Sequence, residues 1–155
     1  ILFDWQELKV PWKKSLFNKT KALAVWNEKL IVGLSGGEPG SASIYMFDNK
    51  KWLQIGGAKT SINKKWEKLN NVHVLQVHNG NLFAGINNTV WQFNNNKWTL
   101  LETGSHNSFP WKDGRVYSMA SHNGFLYLSY QLISLFFKAI SVPFLCSNSE
   151  SVFHP

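Results

Sequence analysis

The chain has 155 residues, 44% hydrophobic and 16% charged, which is long enough to bury one ordinary core and too apolar for a disordered chain. Its 16 Lys and Arg against 9 Asp and Glu give a net charge of +7. Arg115 is the only arginine, which argues against a sequence-specific nucleic-acid partner, because such proteins rely on Arg for bidentate contacts.

Eight strands are predicted in two groups of four, because short alternating or apolar runs are separated by polar turns. The first group lies near residues 21–26, 29–34, 43–47 and 51–55. The second lies near residues 72–78, 81–86, 89–93 and 97–101. Helical periodicity is convincing nowhere, so the sequence predicts an all-β fold class.

One turn-and-strand segment is repeated along the chain. "HNGNLFAG" at 78–85 returns as "HNGFLYLS" at 122–129, and "WNEKLIVG" at 26–33 is a weaker copy. Asn-Gly is the commonest two-residue hairpin signal, since both positions of a type I′ turn need positive φ. The copies are 52 and 44 positions apart, a spacing typical of four-stranded propeller blades.

Tryptophans mark the same repeat. Tyr45 is followed after six residues by Trp52, and Trp91 by Trp98, each pair flanking a polar turn. A further Trp precedes each predicted innermost strand: Trp12, Trp66 and Trp111. The opening "FDWQEL" places Trp5 where a unit's last strand would carry its Trp, and "ILFDWQ" shows no signal-peptide pattern, so the chain is expected to come from within a longer protein.

The aromatic-x6-Trp spacing, the Gly36-Gly37 pair and "KWLQIGG" resemble β-propeller repeats of the kelch and tectonin kind, over about residues 3–130. The resemblance implies four-stranded antiparallel blades in an incomplete ring of about two full blades and two partial ones. We expect a repeat domain over 1–130 and a non-repeat apolar tail over 131–155. Blades are expected near 21–57, 72–104 and, in part, 116–130, with 3–8 as the last strand of a preceding blade.

The tail departs from the repeat. It is either a divergent strand pair or a segment foreign to the repeat, and the missing aromatic-x6-Trp pattern favours the second. Lys138 and Pro143 interrupt its apolar part, which is shorter than the roughly 20 residues of a membrane span, so no membrane span is expected. Because open sheet ends need cover, we expect self-association, blades of a longer parent chain or an atypical cap.

Catalytic and metal signatures are missing from the sequence, which contains neither HExxH nor Gly-x-Ser-x-Gly and only one cysteine, Cys146. Structural roles are therefore expected for the five histidines: His73, His78, His106, His122 and His154. The loop "GLSGGEPGS" at 33–41 lacks the Lys and the following helix of a phosphate-binding loop. As the longest insertion in the repeat it makes Glu38 a ligand-binding candidate.

The tryptophans decide between packing and sugar binding. Trp52 and Trp98 are expected to be packed wedges. Trp66, Trp111 and Trp12 lie in polar, Lys-rich connections, and for them two alternatives stay open: packing of the same kind, or an exposed ring that stacks on a sugar. These three residues with Glu38 form the predicted ligand site.

The preferred function is a non-enzymatic binding module that recognises carbohydrate or another polar surface ligand between blades, without a cofactor. Tectonin-like propellers are associated with carbohydrate binding, which supports this preference. The alternative is a kelch-like protein-interaction scaffold within a larger protein. An enzyme of glycan metabolism is least favoured, because Asp4, Asp48 and Asp113 lie in dissimilar repeat contexts.

Overall fold

A computed structural model describes residues 7–12, 19–59, 64–101, 115–131 and 140–143. These residues form antiparallel strands and one short 3₁₀ segment, Lys64–Lys68, so the predicted all-β class is confirmed. Within these ranges, none of the chain forms a helix with the length and apolar character that crossing a bilayer requires.

The first sheet contains four strands in chain order: β1 (Lys19–Trp26), β2 (Lys29–Ser35), β3 (Ser43–Phe47) and β4 (Trp52–Gly57). The turn between β1 and β2 is Asn27-Glu28, and both residues have positive φ, 48° and 61°, as a tight hairpin of this type requires. All four predicted strands are confirmed, with ends shifted by at most two residues.

The second sheet repeats this arrangement: β5 (Val72–His78), β6 (Asn81–Ile86), β7 (Thr89–Asn94) and β8 (Lys97–Leu100). Asn79 and Gly80 form its first turn with φ of 47° and 74°. The predicted strands again match. His78 and Asn81 are paired across the turn, which shows that this copy of the repeated "HNG" segment is a hairpin tip.

The third sheet has the order β9 (Arg115–His122), β10 (Phe125–Gln131), β11 (Ile140–Pro143). Asn123 and Gly124 form the turn between β9 and β10, with φ of 47° and 77°. β11 lies beside β10, where β3 and β7 lie in the other sheets. The division of the chain at residue 130 stays a prediction.

The three sheets pack face to face in an open row. The first strands of the three sheets, β1, β5 and β9, are neighbours in space, because β5 contacts both β1 and β9. One apolar core, containing Ile31, Ile44 and Trp91, lies between the first and second sheets. A smaller core, containing Phe83 and Met119, lies between the second and third. That these sheets are propeller blades stays a prediction.

Candidate functional site

Equivalent aromatic clusters occupy the first two sheets. Trp12 packs against Tyr45 and Trp52, with ring centroids 5.1 and 5.2 Å apart. In the second sheet Trp66 packs against Trp91 and Trp98, at 5.4 and 6.0 Å. Trp12, which precedes β1, and Trp66, which precedes β5, therefore each pack against the aromatic-x6-Trp pair of the sheet that follows.

The second member of each pair also ties its sheet to the segment before it. The Trp98 indole Nε1 donates a hydrogen bond to the backbone oxygen of Ile55 at 2.8 Å, joining the second sheet to the first. Trp52 donates in the same way to Lys9 at 2.9 Å. Both rings are half-buried, which agrees with the packing role expected of them.

The side chain of Trp66 is 0% exposed, which favours packing over sugar stacking for this residue. Glu67 and Lys68, which follow it in the 3₁₀ segment, are exposed, while the indole packs in the core between the first two sheets. Trp12 is half-buried within its cluster. Trp111 lies outside the described residues, so its role as a ligand contact stays a prediction.

Glu38 is exposed in the loop between β2 and β3, which lies against the connection before β5. The Gly36 backbone N–H donates to the Asn70 oxygen at 3.2 Å, and the Asn70 side chain donates to the Gly37 oxygen at 3.1 Å. The Ser41 hydroxyl donates to the backbone oxygen of Glu38. The loop is thus anchored at both sides of Glu38, whose ligand-binding role stays a prediction.

A different set of residues is brought together on the first strands. In β1 the pairing with β2 shifts between Thr20 and Ala22, which leaves Lys21 as an extra residue in a β-bulge. The same shift occurs in β5 around His73 and in β9 around Tyr117. Bulges redirect side chains and are common beside functional sites. We call Lys21, His73 and Tyr117 the bulge row.

His73 lies at the centre of the bulge row. Its ring stacks on Tyr117, with centroids 5.4 Å apart and planes at 26°. Its Nε2 is buried and has no hydrogen-bond partner among the described residues. Burial, followed by the positive charges of Lys21 and Arg115, lowers the pKa of His73 from 6.5 to about 4. The imidazole is therefore neutral at physiological pH.

Asn87, in the turn between β6 and β7, fixes the strand ends that carry the row. Its side-chain oxygen accepts hydrogen bonds from the backbone N–H groups of Asn70 and Asn71, at 3.3 and 3.0 Å. Its backbone N–H donates to Asn71 at 3.0 Å and its backbone oxygen accepts from Val116 at 2.9 Å. The start of β5 is thereby held to the start of β9.

The bulge row was not identified from the sequence, although a signal for it exists. Lys21, His73 and Tyr117 each stand six positions before the Asn of their hairpin tip, at Asn27, Asn79 and Asn123. Aligning the three tips brings them to one position of the repeat. Their bulged geometry has no counterpart in the residue pattern, because Lys, His and Tyr are not bulge-specific residues.

The bulge row brings together three groups that can contact a polar ligand. It offers an ammonium group, a neutral imidazole and a phenol with one exposed ring face, since Tyr117 is 44% exposed. The described ranges contain no group of three His, Cys, Asp or Glu side chains that could hold a metal ion.

Comparison with known proteins gives no relative: a scan against protein-family models matches none of them, and a search of the curated proteins gives no match.

Proposed function

We propose that this chain is a non-enzymatic, β-propeller-like binding module that recognises carbohydrate or another polar surface ligand at the seam where its sheets meet. The observation that carries the proposal is the bulge row. Three adjacent sheets present a polar or aromatic side chain at the same repeat position, and each is redirected by the same backbone irregularity.

This proposal keeps the function expected from the sequence and moves its site. A fully buried Trp66 offers no face to a sugar, whereas Tyr117 combines an exposed ring with a hydroxyl and is supported from one side by His73. Sugar sites commonly pair one aromatic face with a few polar groups. Lys21 on β1 and Arg115 on β9 supply such groups near His73.

To test the proposal, the chain is screened for binding of short neutral and acidic oligosaccharides. The affinity for any sugar that binds is then measured by calorimetry for wild type and for Tyr117→Ala. Loss of a stacking face is expected to weaken binding by about tenfold, which corresponds to ~1.4 kcal/mol, with little change in Tm because the ring is half exposed. Phe125→Ala is the matched control, since this exposed aromatic lies at the other end of the third sheet. Binding that survives Tyr117→Ala unchanged would contradict the proposal.

A second candidate function, the protein-interaction scaffold, is favoured by an apolar surface on β1. Leu23 and Val25 are 62% and 69% exposed. Their repeat equivalents in β5 are more buried: Leu75 is 6% exposed, and Val77 is half-buried. Leu75 packs in the core shared with the first sheet. The same face of the first sheet has no sheet against it among the described residues.

Light scattering of the purified chain tests this second candidate. If the β1 surface binds a second copy, Leu23→Glu should shift the mass to that of a monomer. Leu53→Glu is the control: Leu53 is 51% exposed in the same sheet, but it is paired with Met46, whose side chain packs against the core on the opposite face. A wild-type monomer across the concentration range would contradict self-association through this surface.

A further inference from the structure

We propose that the ligand of the bulge row carries an anionic oxygen group, a carboxylate or a sulfate ester, which binds between Lys21 and Arg115. This inference rests on the proposed function, since it names the ligand class of the same site. It is carried by the distribution of charge over the first strands and by the surroundings of His73.

The first strands carry basic residues and no acidic ones. β1, β5 and β9 together contain Lys19, Lys21 and Arg115, and none of the three strands has an Asp or Glu. The described acidic residues lie outside these strands, in turns, loops and the 3₁₀ segment: Glu7, Glu28, Glu38, Asp48 and Glu67. No ion pair joins Lys21 or Arg115 to a carboxylate within the described ranges.

His73 shows that these cations act on one place. β5, which carries His73, lies against both β1, which carries Lys21, and β9, which carries Arg115. Burial disfavours protonation of His73 most, and the charges of Lys21 and Arg115 disfavour it further. Tyr117 stacks on its ring, and in the part of the chain that the structure describes no group is hydrogen-bonded to its Nε2. Two positive charges thus act on a neutral, half-buried ring, and none of the described carboxylates lies on the three strands to balance them. An anion at this position would be attracted by both.

The hairpin of β6 and β7 holds this arrangement in place before any ligand arrives. Asn87 links the residue before β5 to Val116, which lies between Arg115 and Tyr117. The strand ends therefore do not need to be ordered by binding. A site fixed in this way loses less conformational entropy when its ligand binds.

Short probes are needed for the test, because a chain with a net charge of +7 attracts any polyanion. Three disaccharides are compared by calorimetry at 150 mM salt: one with a single uronic acid, one with a single sulfate ester and one uncharged. We expect at least one charged probe to bind at least tenfold tighter than the uncharged probe. The charged probe with the lower Kd shows whether the site prefers a carboxylate or a sulfate ester.

Lys21→Gln and Arg115→Gln should each weaken binding of the charged probes about fivefold, a larger factor than their effect on binding of the uncharged probe. Lys97→Gln is the matched control, because it removes the same charge from an exposed position at the start of β8, the outermost strand of its sheet. An equal loss with Lys97→Gln would assign the attraction to net charge and overturn the inference.

A second readout is independent of affinity. A bound anion opposes Lys21 and Arg115, so it should raise the pKa of His73 above about 4, measured by NMR titration with and without the charged probe. Equal binding of charged and uncharged probes, with Tyr117→Ala still disruptive, would overturn the anionic ligand and leave the proposed function standing. Binding that is insensitive to Tyr117→Ala would overturn both.

Discussion

A Cβ atom built on Gly33 would lie 2.5 Å from Cγ1 of Val72, so β2 of the first sheet and β5 of the second are packed at a distance that only glycine permits. The contact is repeated at the next seam, where a Cβ on Gly85 would lie 2.8 Å from Cγ1 of Val116. The two glycines are 52 positions apart and the two valines 44. The spacing between sheets is thus set by one glycine and valine pair per seam.

Gly33→Ala is expected to destabilise the chain by about 1–3 kcal/mol, because the added methyl group overpacks a seam whose nearest neighbour is a branched side chain on a strand. Urea unfolding measures the change. The double variant Gly33→Ala/Val72→Ala is the control: removing the Val72 methyl groups makes room, so its free energy of unfolding should be higher than the sum of the single changes predicts. Strict additivity would contradict the contact.

The strands of the first two sheets could be predicted because each local signal agrees with its neighbours. In "VHNGNL" the Asn-Gly turn fixes the hairpin, and alternation on both sides fixes the faces. The seams could not be predicted in the same way. That Gly33 faces Val72 depends on how two sheets stack, and the distance between those residues in sequence carries no signal of contact.

Asn87→Ala should cost about 1–2 kcal/mol. The change removes the acceptor of two backbone N–H groups and places alanine at a φ of 51°, a region that Asn tolerates better. Asn87→Asp keeps an acceptor oxygen and should retain most of the stability. Thermal unfolding of both variants checks this, and an Asn87→Ala variant as stable as wild type would show that the link between β5 and β9 is dispensable.

Within the ligand site that the sequence predicts, the burial of Trp66 was harder to predict than the strands. Trp66 stands among Lys64, Lys65 and Glu67, and such a neighbourhood suggests exposure. A single 3₁₀ turn is enough to direct the Trp66 side chain into the core and that of Glu67 to solvent, and a five-residue segment is too short for its sequence pattern to indicate which residue is buried.

Trp66→Ala is therefore expected to lower the free energy of unfolding by about 3–5 kcal/mol, as large-to-small changes in a packed core do. Trp12→Ala should cost less, since Trp12 is half-buried and its cluster lies at the outer face of the first sheet. Denaturant unfolding of the two variants gives the comparison. If Trp66→Ala folds with wild-type stability, the indole is not the packing element that its burial indicates.

His73 makes stability depend on pH in a defined window. Its pKa is about 4 in the folded chain and 6.5 when unperturbed, so between these values the unfolded chain binds a proton that the folded chain does not. Stability is therefore expected to fall as the pH is lowered from about 6.5 towards 4, with no further contribution from His73 below that.

His73→Gln removes the titrating group and keeps a polar side chain. Unfolding free energies at pH 7 and pH 4.5 should differ by less in this variant than in wild type, while other groups, Asp48 among them, titrate equally in both chains and cancel. Equal pH dependence in the two proteins would show that burial and the charges of Lys21 and Arg115 do not hold the imidazole neutral, and it would remove the support that His73 gives to the anion site.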